Sequence, residues 1–427
     1  MKKRTYLCID MKSFYASVEC AERDLNPFET NLVVSDVTRG KNALCLAISP
    51  KMKALGIKNR CRISDIPAGV EYIAAKPRMQ LYVDYAADIY QIYLDYFSSS
   101  DIYVYSIDES FIDVTDYLSL YDTDGIGLAK TLMNEIALRL MIPSTAGVGT
   151  NLYLAKVALD ITAKHAGDHI GYLDEESYRR ELWDHRPITD FWQIARGTAG
   201  RLMRYGITTM RGVANAPEDF LYGIFGINAE LLIDHAWGRE PCLISDIKNY
   251  RSRTRSVSFS QILPRDYSFD GARTVMNEMI YNGCLEMMRR HVITKNIWIG
   301  VGYSGFDGAM SKGSVRIGNA SSLYSKISGP VLSLYDRTAV RDSRIRRLAI
   351  SFNNVCDENC GGYDLFTDWH SADREKAREK AALEIAEKFG KNALLRGTNY
   401  LEGATQRERN GMIGGHRAGY DDERRKG

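Results

Sequence analysis

Apolar and polar positions alternate along the chain in a way that predicts a mixed α/β fold. Apolar runs bounded by polar turns, typical of strands, stand at residues 5–10, 32–35, 43–48, 70–75 and 144–150. Helical periodicity, with an apolar residue every three to four positions, covers residues 77–97, 126–141 and 151–164, and a short helix is expected at 50–55. With the strand pair described next, the order strand, helix, two strands, helix, strand, helix predicts a ferredoxin-like unit.

Two adjacent acids interrupt the apolar stretch from Tyr103 to Val114. This pattern predicts two strands joined by a tight reversal or bulge at Asp108 and Glu109. Plain alternation along a strand would send the two carboxylates to opposite faces of the sheet. Both can serve one site only if the backbone turns or bulges there, as it does at many functional positions. Taken alone, the pair is more often a solvated hairpin tip than a catalytic site.

A third acid, Asp10, ends the first predicted strand, directly before a predicted helix with Ser13 as its cap. Three carboxylates and the backbone carbonyl of Met11 would suit Mg²⁺, which takes oxygen ligands and often binds together with substrate phosphates. Tyr15, one turn into the helix, would stand close to whatever the metal holds. Core packing is the alternative role for an aromatic residue at this position.

Charge is distributed unevenly over the 427 residues, a length that predicts several domains. The net charge is only +2, yet residues 247–350 contain 17 Lys and Arg against 7 Asp and Glu, an excess of +10. Such a basic segment on an otherwise acidic chain indicates a polyanionic partner such as duplex DNA. Residues 245–254 read as a basic linker, and strands and helices alternate beyond them, with helices expected from Gly271 and Leu323.

Hydropathy, the cysteines and the C-terminal segment give further expectations about location, metal binding and order. No apolar run reaches membrane-spanning length and the start lacks a signal-peptide core, so a cytoplasmic location is expected. Most cysteines lie in apolar surroundings. Cys356 and Cys360, with His370 beyond them, hint at zinc, but no convincing fourth ligand follows. A charged helix capped by Ser371 is expected to reach about Leu395, and the polar, Gly-rich end from Thr398 is expected to be flexible.

The two acidic motifs together resemble the Y-family, or lesion-bypass, DNA polymerases, closest to their UmuC-like branch and its Gram-positive UV-damage-repair members. The motifs are Asp10-Met-Lys-Ser-Phe-Tyr-Ala-Ser-Val-Glu and, about ninety residues later, Tyr105-Ser-Ile-Asp-Glu-Ser-Phe. The likeness extends over roughly residues 5–366. It implies an α+β multidomain right-hand polymerase with a ferredoxin-like palm, small fingers, a helical thumb with a helix-hairpin-helix, and an α/β little finger. The implied division is palm 1–30 and 76–170, fingers 31–75, thumb 171–240, basic linker 241–255, little finger 256–355, and a clamp-binding peptide, charged helix and flexible tail over 356–427.

The resemblance also implies roles for individual residues. Two Mg²⁺ ions, for which Mn²⁺ could substitute, would be held by Asp10, Met11, Asp108 and Glu109, with the three acids catalytic. The incoming dNTP would contact Phe14, Tyr15, Lys53 and Lys164, with Tyr15 as the steric gate against ribonucleotides. DNA would be bound by Arg251, Arg253, Arg255, Arg344 and Arg346. The sliding clamp (beta subunit) would bind Tyr363, Asp364, Leu365 and Phe366.

Several positions depart from the family pattern. Lys12 stands where many relatives have a second acid, and Pro50 replaces a tyrosine that contacts the triphosphate. The spacing from Lys156 to Lys164 is one residue longer than in many relatives. In the thumb, the usual Gly-Ile-Gly turn is altered to residues 193–195, Gln-Ile-Ala. The usual leading Gln of the clamp peptide is Gly362.

The function implied is error-prone, template-directed DNA synthesis past lesions, in DNA repair and the SOS response, without proofreading. The expected partners are primer-template DNA, dNTPs and the sliding clamp, and a need for UmuD-like accessory proteins stays open. Three rivals are an inactive polymerase paralogue serving as a repair scaffold, a nucleotidyl cyclase, and a DNA-binding repair accessory. The three acids argue against the first, and the basic C-terminal half has no purpose in a cyclase.

Overall fold

The computed structural model describes residues 4–252, 254–305, 310–360 and 368–419. The chain forms two compact units, the first running to Tyr250 and including the chain from Ala418 onward, the second comprising Arg251–Arg417. In the described residues no helix combines the length and apolar character needed to cross a membrane.

The first unit is built on a five-stranded sheet. Its strands and those of a smaller sheet are β1 (Tyr6–Met11), β2 (Leu32–Ser35), β3 (Cys45–Ile48), β4 (Ile73–Ala75), β5 (Ile102–Val104), β6 (Glu109–Asp113), β7 (Ser144–Gly149) and β8 (Ile170–Leu173). The large sheet has the order β5-β6-β1-β7-β8, and all neighbours are antiparallel except β7 and β8. Four of these strands, in the order β5-β6-β1-β7, follow the ferredoxin-like order, which confirms the predicted fold class.

Eleven α-helices accompany these strands in the described part of the first unit. They are α1 (Phe14–Ala21), α2 (Pro50–Ala54), α3 (Met79–Leu94), α4 (Gly125–Leu140), α5 (Leu152–Val157), α6 (Glu175–Glu181), α7 (Arg196–Met203), α8 (Met210–Ala214), α9 (Glu218–Phe225), α10 (Asn228–Ala236) and α11 (Ile244–Asn249). Helix α5 packs on β1 and β7 over an apolar layer that includes Cys8, Phe111 and Leu152. The short helices α6 to α10 share a core with the buried side of α5.

The smaller sheet, with order β3-β2-β4, has a core of its own. Helix α2 closes this core by burying Met52 against Val33 and Ile48. Ser49 begins α2 as its cap and accepts a hydrogen bond from the Met52 amide, and Pro50 occupies the first turn, where its missing N–H costs nothing.

Three sequence expectations about local structure in this unit were wrong. Residues from Gly171 were expected to be helical, but β8 extends the large sheet to Leu173, because Gly171 lets the strand approach the helix above it. Ser13 does not cap α1 with its side chain, since it adopts a left-handed conformation with φ of 51°. The expected basic linker is partly helical, because α11 is stabilised by Asp246, whose carboxylate accepts the Leu243 amide.

The second unit is built on a five-stranded antiparallel sheet. Its elements are β9 (Ser256–Tyr267), α12 (Phe269–Arg289), β10 (Val292–Tyr303), β11 (Met310–Ser321), α13 (Tyr324–Thr338), β12 (Ile345–Asn353), β13 (Cys356–Asp357), α14 (Trp369–Phe389), α15 (Gln406–Arg409), β14 (Met412–Ile413) and β15 (His416–Arg417). The strand order is β11-β10-β12-β9, and β13 pairs with β10. Helices α12 and α13 pack on the sheet and enclose the core of this unit. This agrees with the predicted α/β domain, although β11 was not predicted.

The end of the chain differs from its prediction. Asp368, not Ser371, caps α14, and the helix stops before Gly390, whose φ of 94° suits glycine. The tail from Thr398 is ordered as far as it is described, because buried Glu278 on α12 accepts hydrogen bonds from Asn399 Nδ2 (2.7 Å) and the Thr405 amide (2.8 Å). Hydrogen bonds to a buried carboxylate are charge-assisted and therefore strong, so they hold this segment against α12.

A second buried acid, Glu379 on α14, gives this unit a predicted pH dependence. Only 2% of Glu379 is exposed. Burial and then the Glu375 charge raise its pKa to about 7, against the opposing effect of Arg378 and Arg396. The ionisable groups that face it from α12 are Tyr281 and Cys284. A carboxyl whose folded pKa is raised stabilises the fold below its unfolded pKa, and that contribution is lost as the pH rises through the folded value.

We therefore expect Glu379→Gln to melt at a higher temperature than wild type at pH 8.5 and to lose this advantage at pH 5. The amide keeps a donor toward Glu375 and removes a charge whose burial costs at most about 3 kcal/mol. Thermal melts of the full chain at both pH values measure the difference. Glu384→Gln, an exposed glutamate on the same helix, is the matched control. Equal melting of the Glu379→Gln variant and wild type at pH 8.5 would contradict the prediction.

Candidate active site

Strand β1 places Asp10 at the centre of the large sheet. Asp10 pairs with Glu109 on β6 and with Thr145 on β7. Residues directly opposite in an antiparallel ladder share a face, so Asp10 and Glu109 point to the same side of the sheet. Cys8, two residues before Asp10, lies on this side too. Because α5 packs over Cys8, the site lies on the face that α5 covers in part.

Asp108 escapes strand alternation because the chain reverses just before β6. The amides of Tyr105 and Ser106 both donate to the Glu109 carbonyl at 3.0 Å, and the Asp108 carbonyl accepts the Met11 amide at 2.9 Å. The Ser106 hydroxyl also donates to the Asp108 carboxylate at 2.6 Å. This is the reversal that the sequence predicted between the two strands. It frees Asp108 to approach Asp10.

Backbone contacts bring the three acids together, because Asp10 pairs with Glu109 and the Asp108 carbonyl accepts the amide of Met11, the residue after Asp10. Burial, followed by the charges of Asp108 and Glu109, raises the pKa of Asp10 to about 7. Carboxylates held together in partial burial repel each other unless a cation or a proton lies between them. Their oxygens are the donors that Mg²⁺ prefers, so Asp10 and Asp108 fit a divalent ion.

Glu109 is engaged differently from the two aspartates. It is 8% exposed, and Lys156 Nζ on α5 lies 2.9 Å from its Oε1 and 3.0 Å from its Oε2. The Cys8 thiol donates to Oε1 at 3.1 Å, and Lys156 also contacts Asp160 at 2.9 Å. Both oxygens of Glu109 are thus occupied, and within the part of the chain that the structure describes, no three His, Cys, Asp or Glu side chains form a ready metal cage. Cys356, Cys360 and His370 are among the described side chains that form no such cage.

Lys156 has no predicted role from its sequence position alone, although the pattern around it contains a signal. Residues 152–161 of α5 and its extension are otherwise apolar apart from Lys156 and Asp160, which are four positions apart. A helix that is apolar on every side is buried, and charged residues in a buried helix need partners. Lys156 therefore could have been assigned to one of the predicted acids.

Tyr15 rests on a rigid support beside the aspartates. Its ring stacks on Tyr82 with centroids 4.5 Å apart. Tyr82 in turn donates to the fully buried Glu19 at 2.8 Å, and Arg78 grips the same carboxylate at 2.8 and 2.9 Å. Burial and then the Asp108 charge raise the pKa of Tyr15, whereas Arg60 opposes the shift. Arg60, which the sequence analysis did not select, thus lies near the ring. Phe14, by contrast, is buried.

Lys53, a predicted triphosphate ligand, interacts electrostatically with the two aspartates and with the second predicted ligand, Lys164. Partial loss of water lowers the pKa of Lys53, the Asp10 and Asp108 charges raise it, and Lys164 lowers it. The chain reaches Lys164 through a π-helical turn, Ala158–Thr162, closed by the Ala163 amide donating to the Ala158 carbonyl at 2.8 Å. Such a turn accommodates one additional residue in a helix. It gives a physical account of the longer spacing between Lys156 and Lys164.

The remaining predicted residues lie elsewhere. Gln193 in the altered thumb turn lies three residues before the start of α7 and has φ of 68°, a conformation that glycine adopts easily. The arginines 251, 255, 344 and 346 belong to the second unit, and Arg346 lies 3.5 Å from Asp266. Arg253 and the predicted clamp peptide, Tyr363, Asp364, Leu365 and Phe366, lie outside the described residues.

A ferredoxin-like sheet with facing aspartates at β1 and β6 and an aromatic residue beside them is the arrangement of a polymerase palm. The sequence model of the impB/mucB/samB family matches residues 9–160. UvrX of Bacillus subtilis (strain 168), named for UV-damage repair, is 30% identical, with 97% of this chain and 98% of that protein aligned. DNA polymerase IV 2 of the same organism is 27% identical, with 97% and 99% aligned. A Y-family DNA polymerase chimera of Dbh and Dpo4 superposes with a TM-score of 0.65 at 21% identity, covering 83% of this chain and 99% of the chimera.

The chain therefore belongs to the impB/mucB/samB family of Y-family DNA polymerases. This confirms the resemblance inferred from the two acidic motifs.

Proposed function

We propose that the chain is a template-directed DNA polymerase that copies damaged templates without proofreading. The observation that carries the proposal is the approach of Asp10 and Asp108 at the ends of β1 and β6, beside Tyr15 and two lysines. The relatives named DNA polymerase IV and UV-damage repair protein support the same activity. The inactive-paralogue alternative is not favoured, because all three acids are in place.

Asp10 and Asp108, with the Met11 carbonyl, would hold Mg²⁺, with Mn²⁺ as an alternative ion, and Glu109 would stand beside the primer end. When bound, two such ions would lower the pKa of the primer 3′-hydroxyl and absorb charge on the phosphates. Lys53 and Lys164 would bind the triphosphate and orient it. Lys156 would hold the Glu109 side chain in one orientation. Catalysis of phosphoryl transfer depends mostly on such positioning and electrostatics.

Primer extension in Mg²⁺ tests the proposal directly. The full chain should extend a primer on an undamaged template and past a template lesion. Failure of the wild-type chain to extend any primer, with clamp and accessory proteins supplied, would reject the polymerase function. Stable binding of primer-template DNA in that case would favour the scaffold role instead.

Tyr15 is proposed as the steric gate, because its ring is fixed on Tyr82 next to Asp108. We expect Tyr15→Ala to reduce discrimination against ribonucleotides by about ten- to a hundredfold, since the removed ring leaves space for a 2′-hydroxyl. The ratio of kcat/KM for dCTP and CTP measures it. Tyr222→Ala, an exposed tyrosine on α9, should leave the ratio unchanged. Unaltered sugar selectivity in the Tyr15 variant would remove Tyr15 from this role.

We propose that the domains follow the division predicted from the sequence, with the palm continuing to Leu173 because β8 belongs to the large sheet. Residues 31–75 would be the fingers, the helices from α6 to α10 the thumb, and the second unit the little finger with its basic arginines on DNA. Three of these arginines are exposed: Arg251, Arg255 and Arg344. A cytoplasmic location, an SOS role and UmuD-like partners belong to the same proposal.

The sliding clamp is the further proposed partner, through Tyr363, Asp364, Leu365 and Phe366. Deleting Leu365 and Phe366 should abolish capture of the chain by immobilised clamp and leave clamp-independent primer extension intact. The short apolar end of such a peptide supplies most of its contact area, so its removal is a severe test. Undiminished capture would reject this site.

A further inference from the structure

Lys156 lies between two carboxylates that belong to different elements. Its Nζ is 2.9 Å from Glu109 Oε1 on β6 and 2.9 Å from Asp160 Oδ1. Asp160 stands four positions after Lys156, within the π-helical turn Ala158–Thr162 that continues α5. In the described part of the chain Asp160 pairs with no other cation. One ammonium thus serves two negative charges, and the three side chains keep one of those charges uncompensated.

The two carboxylates differ in burial and in what carries them. The side chain of Glu109 is 9% exposed and that of Asp160 is 31% exposed. Glu109 is directly opposite Asp10 in the ladder between β1 and β6, so it belongs to the group of acids at the site. Asp160 shares one continuous helical segment with Lys156. Any change in the orientation of Glu109 therefore leaves the pair of Lys156 and Asp160 in place.

This arrangement bears on the use of Glu109 as a metal ligand, the role predicted for it from the sequence. In the structure both Glu109 oxygens contact Lys156, at 2.9 and 3.0 Å. A Glu109 carboxylate that turned toward a divalent cation would weaken these contacts. A buried ammonium left without a counter-ion is strongly unfavourable, because its lost hydration is not replaced. Asp160 supplies the counter-ion that Lys156 would otherwise lose.

We propose that Asp160 is a positioning residue, which keeps Lys156 neutralised while Glu109 turns toward a divalent cation beside Asp10. This inference rests on the proposed function, because it concerns the metal site of that polymerase. Asp160 would act through Lys156 alone. Its presence should therefore strengthen the binding of a divalent cation and have little effect on the rate of the chemical step once the site is filled.

Asp160→Asn tests the role, because the amide keeps the size of the side chain and removes the charge. Mn²⁺ alone, titrated into the full chain and followed by the EPR signal of the free ion, should bind about five- to twentyfold more weakly. Lys156 then has Glu109 as its sole counter-ion. Asp160→Glu restores a carboxylate and should bind Mn²⁺ within a few-fold of wild type. Asp184→Asn, which breaks an exposed ion pair with Arg211, is the matched control and should bind Mn²⁺ as wild type does.

A double-mutant cycle separates this role from a general effect of negative charge. In a Glu109→Gln background, Asp160→Asn should not weaken Mn²⁺ binding further, since Lys156 no longer holds a metal-binding carboxylate. Without metal, Asp160→Asn should melt close to wild type, because Glu109 still neutralises Lys156. Equal Mn²⁺ affinity of Asp160→Asn and wild type would overturn the inference. So would a loss of the same size in the Glu109→Gln background.

Primer extension distinguishes a failure of this inference from a failure of the proposed function. Asp160→Asn should need about five- to twentyfold more Mg²⁺ for half-maximal extension and should approach the wild-type rate at saturating Mg²⁺. Extension by both proteins with the same Mg²⁺ requirement would reject the role of Asp160 and uphold the polymerase. If wild type extends no primer while the Mn²⁺ results hold, the polymerase function fails and the role of Asp160 in a cation site stands.

Discussion

Asp108→Asn is expected to lower primer extension by about a hundred- to a thousandfold. The substitution keeps the size of the side chain and the acceptor for the Ser106 hydroxyl, and it removes one of the two charges that face the metal site. Loss of a group that stabilises developing charge typically costs about 3 to 4 kcal/mol of the activation barrier. Single-turnover extension in Mg²⁺ measures the change. Asp88→Asn, an exposed aspartate on α3, should retain wild-type rates.

The same substitution should have the opposite effect on stability without metal. Asp108 is, after burial, the largest cause of the raised pKa of Asp10, so its neutralisation relieves repulsion in the folded state. The Asp108→Asn variant should melt above wild type in EDTA, and added Mg²⁺ should raise the melting temperature of wild type alone. Wild-type activity in this variant would reject the active-site assignment. An equal response of both proteins to Mg²⁺ would reject the metal site.

The framework of this site was accessible from sequence because its signals are local. Apolar runs ending in an acid predicted β1 with Asp10 and the reversal at Asp108, and these elements lie in the predicted sheet. Strand β8 was missed because a glycine-containing run of four residues gives little periodicity. The position of β8 depends instead on close packing between Gly171 and the π-helical turn, because a Cβ on Gly171 would lie 2.5 Å from the Ala158 carbonyl oxygen.

Long-range polar contacts account for the rest of what the sequence could not show. Lys156 and Glu109 are 47 positions apart, and no local rule pairs them. The tail after Thr398 has the composition of a flexible segment, yet its amides find Glu278, more than 120 positions earlier. A single buried carboxylate can order a polar segment that has little apolar surface to bury. The amino-acid composition of a segment indicates how much apolar surface it can bury, but it does not reveal a polar contact of this kind.

Lys156→Met is expected to reduce both stability and activity strongly. Lys156 is the cation on Glu109 and on Asp160, and the side chains of Lys156 and Glu109 are only 10% and 9% exposed. Removing one partner of a buried ion pair leaves an uncompensated charge, which typically costs about 3 to 5 kcal/mol. Glu109 would also lose the contacts that fix its orientation beside the primer end. Urea unfolding at pH 7.5 and primer extension measure the two losses.

Lys130→Met provides the matched control for the stability loss. Lys130 also forms an ion pair, at 3.4 Å with Asp168, but its side chain is 57% exposed. Exposed pairs contribute about 1 kcal/mol or less, so this variant should unfold close to wild type. Adding Glu109→Gln to Lys156→Met should recover much of the stability, because the buried charge is gone, and should not recover extension. The prediction is contradicted if Lys156→Met unfolds at the same urea concentration as Lys130→Met and extends primers normally. The ion pair would then neither stabilise the fold nor position Glu109.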